Sequence, residues 1–341
     1  MGATPYLLLD VEVMQANIEA MAEHARRHHM VLRPHAKTHK SVPIAELQLA
    51  AGAVGLTVAT IGEAEVFASV CRDLFIAYPL WVDDDAAARL VALSEAGVRL
   101  RVGCDSANAG RNLIGLPVEV VVEVDSGHHR SGVAPESAGD LAQALVQLGL
   151  TVLGVFTFPG HSYAPGSGEA AARQEAEALA TAAASLRQFG IEPDVISGGS
   201  TPSASFSRTV ATELRPGVYV FGDAQQVELG TIPFEQVALT VVSTVVSHAG
   251  GRVICDAGSK ALAADRAPWA SGYGRVFGEP DARIVALSEH HATITWPGEL
   301  PALGSTVRLV PNHACNAVNL ADAYLLSTGE IWPVSARGRN N

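Results

Sequence analysis

The chain is poor in charged residues and in cysteine, and it has neither an excess of basic residues nor a long apolar segment. Only 17% of its 341 residues are charged while 48% are hydrophobic, a composition that excludes a disordered protein. Asp and Glu number 35 against 23 Lys and Arg, so the formal net charge of −12 opposes binding to nucleic acid. No segment approaches the roughly 20 consecutive apolar residues of a membrane span. We therefore predict a folded protein that binds neither nucleic acid nor membranes.

The cysteines and the N-terminus predict a cytoplasmic protein. The four cysteines lie far apart without CxxC spacing, which suits a reducing compartment better than a disulfide scaffold. Residues 1–10 contain no basic segment followed by a cleavable apolar one, so we expect no secretion signal.

Short Val-rich apolar runs recur from the start of the chain to about residue 223, each followed by loop residues and a helical pattern. They lack strict alternation, which indicates strands that are covered on both faces. Eight such runs, separated by helical segments, are the number that a parallel (β/α)8 barrel requires. The predicted strands are Val31–Ala36, Gly55–Thr60, Leu74–Tyr78, Leu100–Cys104, Val118–Val124, Thr151–Phe156, Asp194–Ser197 and Leu214–Val220.

Two helices can be predicted in more detail. Asp10 can cap a helix that carries Val13 and Ile18 on one face. An Ala-rich periodic segment covers Glu169–Phe189, and Gly190 follows it as a C-terminal stop.

After residue 223 the apolar runs continue, but helical periodicity becomes rare. The strands predicted in this part are Val237–Ser247, Arg252–Asp256, Ala282–Leu287, Ala292–Trp296, Thr306–Pro311 and Tyr324–Leu326. We therefore predict an α/β protein. Residues 11–223 form a (β/α)8 TIM-like barrel, and residues 1–10 together with 224–341 form a mostly β domain.

The first predicted strand ends in a basic segment, Arg33–Lys40, with the sequence RPHAKTHK. The carboxyl ends of barrel strands face the active site. Lys37 emerges there from an apolar strand, and desolvation lowers the pKa of an amine and so makes the neutral form available as a nucleophile. A basic surface loop that caps the barrel is the alternative interpretation.

A glycine-rich turn, Ser197–Pro202, follows the seventh predicted strand. Its glycines let backbone N–H groups approach an anion, and Thr201 with Pro202 can open a short helix whose N-terminus attracts phosphate. The loops after strands seven and eight of a barrel often hold phosphate. The neighbouring segment Arg215–Tyr219 could add further donors, although Arg215 is equally explained by a salt bridge within the barrel wall.

Two polar clusters follow the fifth and sixth predicted strands, at Asp125–Gly132 and Gly160–Tyr163. Arg130 could hydrogen-bond a ring nitrogen, while His161 or Tyr163 could contact a cofactor or a substrate. Each of these residues taken singly is better explained as scaffold, but their shared placement at strand ends favours a site.

His313 and Cys315 lie two residues apart in the predicted β domain. In an extended segment such residues point the same way, so an imidazole and a thiolate could face one ion. Zn²⁺ suits this nitrogen and sulfur pair. A buried cysteine beside a hydrogen-bonded histidine is the alternative interpretation.

These motifs together resemble the D-serine dehydratase/D-threonine aldolase family. Its members are fold-type III pyridoxal-phosphate (PLP) enzymes with an alanine-racemase-like barrel followed by a β domain. The resemblance covers nearly the whole chain and is strongest at RPHAKTHK (Arg33–Lys40) and PNHAC (Pro311–Cys315). It continues through DSGHHRSGV (Asp125–Val133), GHSY (Gly160–Tyr163), SGGSTPS (Ser197–Ser203), ELRPGVYVFGD (Glu213–Asp223) and CDAGSKAL (Cys255–Leu262).

Carried over position by position, the resemblance implies that Lys37 is the Schiff-base lysine. Arg130 would face the pyridine nitrogen and so temper the electron sink of the cofactor. His313 and Cys315 would hold a divalent ion, Zn²⁺ or Mn²⁺. Besides Lys37, the residues implied to bind PLP are His35, Arg130, Tyr163, Gly199, Ser200, Thr201, Gly217, Val218 and Tyr219.

The resemblance implies a lyase that acts on β-hydroxy D-amino acids. A histidine and cysteine pair is typical of the dehydratase members, which eliminate water and release an oxo acid and ammonia, whereas aldolase members more often carry histidine and aspartate. The residues after the pair, Asn316–Asn319, do not continue as dehydratases do, so retro-aldol cleavage to glycine and an aldehyde is the alternative. His161 or a metal-bound water would then be the base.

Two other classes share this barrel. A PLP carrier protein lacks a second domain and a metal pair, whereas here about a third of the chain follows the barrel. An amino-acid racemase needs a second base, for which Tyr273 or Tyr324 could serve, but its lysine motif differs. By analogy with fold-type III enzymes we expect a homodimer.

Overall fold

The computed structural model describes residues 3–206 and 210–341, and the chain divides into two compact units. One unit contains the residues up to Glu19, Thr38–Pro43 and Val218–Gly338. The other contains Ala20–Lys37, Ile44–Gly217 and Arg339–Asn341. The limits predicted from the sequence, at residues 10/11 and 223/224, stay a prediction, and residues 1 and 2 of that prediction lie outside the described part.

Helices are concentrated before residue 230. Those of the described residues are α1 (Val11–Arg27), α2 (Val42–Ala50), α3 (Ile61–Phe67), α4 (Asp84–Glu95), α5 (Ala107–Arg111), α6 (Ala138–Gln147), α7 (Gly168–Gln188), α8 (Thr201–Ala204), α9 (Ala224–Glu228), α10 (Ser259–Leu262) and α11 (Ala314–Leu320). The side chain of Asp10 accepts the N–H of Val13 and caps α1, as predicted. None of these described helices combines the length and the apolar character that crossing a membrane requires.

Strands occur along the whole described chain and form two sheets. They are β1 (Tyr6–Leu9), β2 (Val31–Leu32), β3 (Leu56–Val58), β4 (Asp73–Pro79), β5 (Arg99–Cys104), β6 (Glu119–Glu123), β7 (Thr151–Phe156), β8 (Val195–Gly198), β9 (Glu213–Leu214), β10 (Leu239–Ser247), β11 (Val253–Cys255), β12 (Gly274–Val276), β13 (Glu279–Leu287), β14 (Ala292–Thr295), β15 (Thr306–Pro311), β16 (Ala323–Leu326) and β17 (Ile331–Pro333).

The barrel sheet has the order β2-β9-β8-β7-β6-β5-β4-β3, with every pair parallel. A parallel bridge between His35 and Thr57 and a hydrogen bond from Val54 N to Leu32 O join its two outer strands. The sheet therefore closes on itself, and each of the eight predicted strands corresponds to one of its members. This confirms the predicted parallel barrel.

The eighth predicted strand, Leu214–Val220, is too long. Pairing ends where Arg215 N donates to Gly198 O, and the chain then turns, with residues Val218–Val220 forming a 3₁₀ turn. Pro216 explains the difference because proline has no N–H to donate to a neighbouring strand.

Arg33, the first residue of the basic motif, belongs to a buried ion-pair network in the barrel. Its Nε lies 2.6 Å from Glu213 Oε2 and its Nη1 lies 2.8 Å from Asp73 Oδ1. Arg101 Nη2 lies 3.2 Å from the second oxygen of Asp73. Burial disfavours the charged guanidinium, but Glu213 and Asp73 outweigh it and raise the pKa of Arg33. Arg33 is thus a structural residue, paired because an unpaired buried charge is costly.

The second sheet has the order β11-β14-β13-β12-β15-β10-β1-β16-β17 and is antiparallel except where β1 and β16 run parallel. All six strands predicted after residue 223 occur in it. The sequence interpretation missed β12 and β17, which are only three residues long, and the helix α11.

Candidate active site

A cavity of about 490 Å³ opens at the carboxyl ends of the barrel strands. This volume is in the range of small-molecule sites. Three of its lining side chains are cationic (Lys37, Arg130 and Arg215), and one, Asp105, is a carboxylate, so the cavity favours an anionic ligand. The residues that line it are His35, Lys37, Ala59, Ala77, Tyr78, Pro79, Asp105, Arg130, Ser131, Phe158 and Arg215.

Lys37 reaches this cavity from the turn that follows β2. Residues Ala36–Thr38 form a 3₁₀ turn, and the N–H of Lys37 donates to His35 Nδ1. The Lys37 ammonium nitrogen lies 5.6 Å from the centre of the Phe158 ring, and the Arg130 guanidinium carbon lies 5.4 Å from the same centre. The structure therefore brings three residues predicted to bind a cofactor, His35, Lys37 and Arg130, to one cavity.

Arg215 lines the same cavity and is held rigidly. Its Nε donates to Ser197 Oγ and its Nη2 to the carbonyl of Thr157. The guanidinium carbon lies 5.5 Å and 5.2 Å from the ring centres of Phe75 and Phe156. Burial lowers the pKa of Arg215, although Glu213 and Glu175 oppose this effect. Arg215 is therefore a fixed cavity residue, a role that our sequence interpretation did not assign to it.

Other cavity residues were also missed. Tyr78 and Pro79 lie at the end of β4, Asp105 directly follows β5, and Phe158 lies two residues after β7. Their common signal is a position at the carboxyl end of a strand, where barrel sites lie.

The glycine-rich turn forms a short capped helix, as predicted. Ser200 Oγ accepts the N–H of Ser203, and Ser203 Oγ accepts the N–H of Ser200. Ser200 Oγ also lies 2.8 Å from Ser162 Oγ. The N–H of Gly199 donates to a side chain, Glu175 Oε1. None of Gly199, Ser200 and Thr201 is among the residues that line the cavity.

His161 and Tyr163 lie in the 3₁₀ turn after β7 and do not line the cavity. His161 Nε2 lies 2.9 Å from Gln174 Oε1. The ring of Tyr163 contacts the ring of Phe158, with 6.2 Å between their centres. Of the two residues, Tyr163 contacts a residue that lines the cavity, Phe158. The remaining predicted residues follow β9 in the chain. Gly217 is half-buried, whereas Val218 and Tyr219 are buried and belong to the unit that contains Val218–Gly338.

His313 and Cys315 are not in an extended segment, contrary to our expectation. His313 is the residue before α11 and has extended backbone angles, whereas Cys315 is the second residue of the helix. The strand pattern of β15 ends at Pro311, and helix α11 begins three residues later, at Ala314. The two side chains nevertheless meet, because the imidazole hydrogen-bonds the sulfur.

The pair has the donor set of a metal site. Asp265 Oδ2 lies 2.8 Å from His313 Nδ1, and such a contact fixes an imidazole so that Nε2 faces an ion. Thr38 Oγ1 lies 3.2 Å from Cys315 Sγ. The residues that the structure describes contain no cluster of three potential ligands, so an ion here would keep positions open for water or substrate. Nitrogen and sulfur donors fit Zn²⁺ best.

The charges around His313 suit a cation. Burial disfavours the imidazolium, but the Cys315 sulfur, Asp265 and Asp223 outweigh it and raise the pKa of His313 to about 11. Asp223 is itself buried, which raises the pKa of its carboxyl to about 6, and it accepts the backbone N–H groups of Gln226 and Ala314. Positive charge between these groups is therefore favoured, whether a proton or a metal ion supplies it.

Two family models match the chain. Residues 9–225 match "Alanine racemase, N-terminal domain", and residues 238–327 match "Putative serine dehydratase domain". Alanine racemase from Bacillus anthracis, at 15% identity and a TM-score of 0.70, shares the fold.

Characterised relatives cover almost the whole chain. D-threonine aldolase from Arthrobacter sp. is 36% identical, over 98% of this chain and 93% of the relative. D-threo-3-hydroxyaspartate dehydratase from Delftia sp. (strain HT23) is 35% identical, over 92% of this chain and 90% of the relative. The solved structure of the Delftia enzyme has a TM-score of 0.89 at 32% identity, covering 98% and 97% of the two chains. The chain therefore belongs to the alanine-racemase-like family of PLP-dependent lyases that carry a serine dehydratase-type domain.

Proposed function

We propose that this chain removes water from a β-hydroxy D-amino acid and releases a 2-oxo acid and ammonia. The observation that carries the proposal is the placement of His313 and Cys315 at the start of α11, with Asp265 Oδ2 2.8 Å from His313 Nδ1. Two solved variants of D-threo-3-hydroxyaspartate dehydratase replace a histidine and a cysteine that are two positions apart, and the cysteine variant is described as a metal-free form. The same spacing in this chain supports a thiolate metal ligand and a dehydratase.

Lys37 is the proposed covalent attachment point of PLP. Its position at a cavity with two arginines supports this role because PLP is an anion and its amino-acid substrates carry a carboxylate. The other residues proposed to bind the cofactor are His35, Arg130, Tyr163, Gly199, Ser200, Thr201, Gly217, Val218 and Tyr219. We further propose that Arg130 faces the pyridine nitrogen; its place over Phe158, beside Lys37, supports this assignment.

When bound, PLP withdraws electrons from the substrate Cα, and the divalent ion acts as a Lewis acid on the β-hydroxyl. Lys37 has the proton-transfer role: its free amine would take the proton of the substrate Cα. Since Lys37 stands on one side of the substrate, only one Cα configuration presents its proton, which selects the D-amino acid. His313 and Cys315 hold the ion, which we propose to be Zn²⁺ or Mn²⁺, and Asp265 orients His313.

Retro-aldol cleavage is the second candidate function. The 36% identity with a D-threonine aldolase over 98% of this chain favours it. The reaction needs a base that takes the proton of the β-hydroxyl, and His161 is our candidate for that role. His161 Nε2 is engaged with Gln174 Oε1, which leaves Nδ1 as the ring nitrogen that would accept the proton.

Product analysis separates the two reactions. We expect the protein loaded with PLP and Zn²⁺ or Mn²⁺ to convert D-threo-3-hydroxyaspartate to oxaloacetate, D-serine to pyruvate or D-threonine to 2-oxobutyrate, with ammonia in equal amount. Glycine together with glyoxylate or acetaldehyde, detected by mass spectrometry, would instead establish the aldolase. The L-enantiomers serve as controls, and their turnover at the same rate would contradict the proposed role of Lys37.

We also infer a homodimer located in the cytoplasm. All four cysteines are free, and Cys71, Cys104 and Cys255 are buried, which supports a reducing compartment. The dimer follows from analogy with fold-type III enzymes, and sedimentation of the PLP-loaded protein at two concentrations tests it.

A further inference from the structure

We propose that Glu175 is a positioning residue that holds the turn Gly199–Thr201 in the shape that binds the phosphate group of PLP. The inference rests on the proposed function, since it takes this turn as the phosphate site. Glu175 lies on α7, outside every motif that the sequence singled out, and none of the proposed steps uses it.

The contact between Glu175 and the turn is direct. Glu175 Oε1 lies 2.5 Å from the backbone nitrogen of Gly199 and accepts its hydrogen bond. The side chain is only 6% exposed. A carboxyl group buried this deeply costs free energy unless its hydrogen bonds compensate. The hydrogen bond from Gly199 therefore marks Glu175 as a candidate functional residue.

The turn is shaped to receive this carboxyl. A side chain at Gly198 would place its Cβ 2.4 Å from Glu175 Oε1, so the carboxyl keeps its present position only while residue 198 is glycine. Gly199 has a φ of +89°, which other residues rarely adopt. The Gly199 N–H therefore points toward α7, and the peptide that follows it has a fixed orientation.

Ser200, in the middle of the turn, is held by other serine residues. Ser200 and Ser203 exchange reciprocal hydrogen bonds, and Ser162 contacts Ser200 Oγ. Glu175 thus attaches this preassembled turn to the long helix α7 by a direct hydrogen bond. Without it, the buried N–H of Gly199 loses its acceptor, which is costly enough to shift the turn.

The charge on Glu175 follows pH in the neutral range. Burial raises the pKa of its carboxyl to about 7, while the hydrogen bond from Gly199 and the charge of Arg215 oppose the shift. A small cavity beside the contact is lined, apart from Glu175 and Gly199, by apolar residues: Ala172, Ala176, Leu179, Ala211 and Leu214. As the pH rises through 7 the carboxyl becomes charged, and a carboxylate beside this turn repels a phosphate dianion. PLP binding should therefore weaken with rising pH for this reason.

The test measures the dissociation constant of PLP by absorbance and fluorescence, independently of turnover. Glu175→Leu should weaken PLP binding by about 10-fold because Gly199 N–H is left without an acceptor. Glu175→Gln should restore binding, since its amide oxygen can accept the same bond. It should also remove the part of the pH dependence between pH 6 and 8.5 that Glu175 supplies. Glu177→Leu, an exposed position on the same helix, is the matched control and should bind PLP like the wild type.

Equal PLP affinity of Glu175→Leu and wild type would overturn the inference, as would identical pH profiles of wild type and Glu175→Gln. Gly198→Ala is a second, independent variant: it should weaken PLP binding because its Cβ displaces the carboxyl, and unchanged binding would count against the proposal. If Glu175→Leu fails to fold, PLP binding by Gly198→Ala still tests whether Glu175 positions the turn. Failure of the wild type to bind PLP at all would instead refute the proposed function.

Discussion

Replacing Lys37 with alanine should abolish turnover and the visible absorbance of protein-bound PLP. Lys37 stands at the cavity mouth beside His35, with its ammonium nitrogen 5.6 Å from the Phe158 ring centre. Loss of both the covalent attachment and the proton-transfer group should lower kcat by at least about 1,000-fold. Single-turnover assays and absorbance spectra of the purified variant measure the two effects separately.

Lys260→Ala is the matched control because Lys260 is exposed and pairs with Glu289 in the other unit. It should keep wild-type turnover and absorbance. Lys37→Arg keeps the positive charge but cannot supply a neutral amine, so we expect it to be as inactive as the alanine variant. Substantial activity of either Lys37 variant would show that another residue carries the chemistry.

Replacing either His313 or Cys315 with alanine should remove the divalent ion and lower kcat by about 100-fold or more, with PLP binding retained. The described residues contain no group of three side chains that could hold a metal ion, so loss of either proposed ligand should weaken binding severely. Elemental analysis of the purified variants measures the metal directly. Dialysis of the wild type against a chelator should reproduce the loss, and added Zn²⁺ or Mn²⁺ should restore activity.

Substitution with Co²⁺ tests the thiolate itself. The wild type loaded with Co²⁺ should show a sulfur-to-cobalt charge-transfer band in the near ultraviolet, and Cys315→Asp should lose the band while it retains a metal ion. His248→Ala serves as the control, since His248 Nε2 contacts the carbonyl of Pro301 and lies outside the proposed site. A Cys315→Ala variant that holds one ion per chain with wild-type affinity would contradict the assignment.

The barrel was predictable because its signal is local. A Val-rich run followed by loop residues indicates a buried strand wherever it occurs, and all eight runs became parallel strands. The eighth strand was drawn too long because Pro216 and Gly217 were read as continuing it, although proline cannot donate to a neighbour. The place of Lys37 at the carboxyl end of a strand could be predicted in the same way, because Lys37 comes directly after the first Val-rich run.

Local sequence patterns did not predict the geometry or the role of residues whose contacts are distant in the chain. The geometry at His313 and Cys315 was predicted as extended, but α11 begins between the two residues. Arg215 left two interpretations open, and only the packing of Phe75 and Phe156 around its guanidinium decided that it lines the cavity. Nothing in the sequence indicated a functional role for Glu175, because an acidic residue on an Ala-rich helix is ordinarily exposed to solvent.

The sequence by itself determined the barrel, the sheet that follows it and the motifs that carry Lys37, His313 and Cys315. These depend on hydrophobic periodicity and on residue types within a few positions, which are properties of the chain before it folds. Only the tertiary structure decided which partners those residues have. Gly199 meets an acid 24 positions away and Cys315 meets a threonine 277 positions away. Such contacts form when strands and helices pack, so the direction of a side chain and its burial are set by the fold rather than by neighbouring residues.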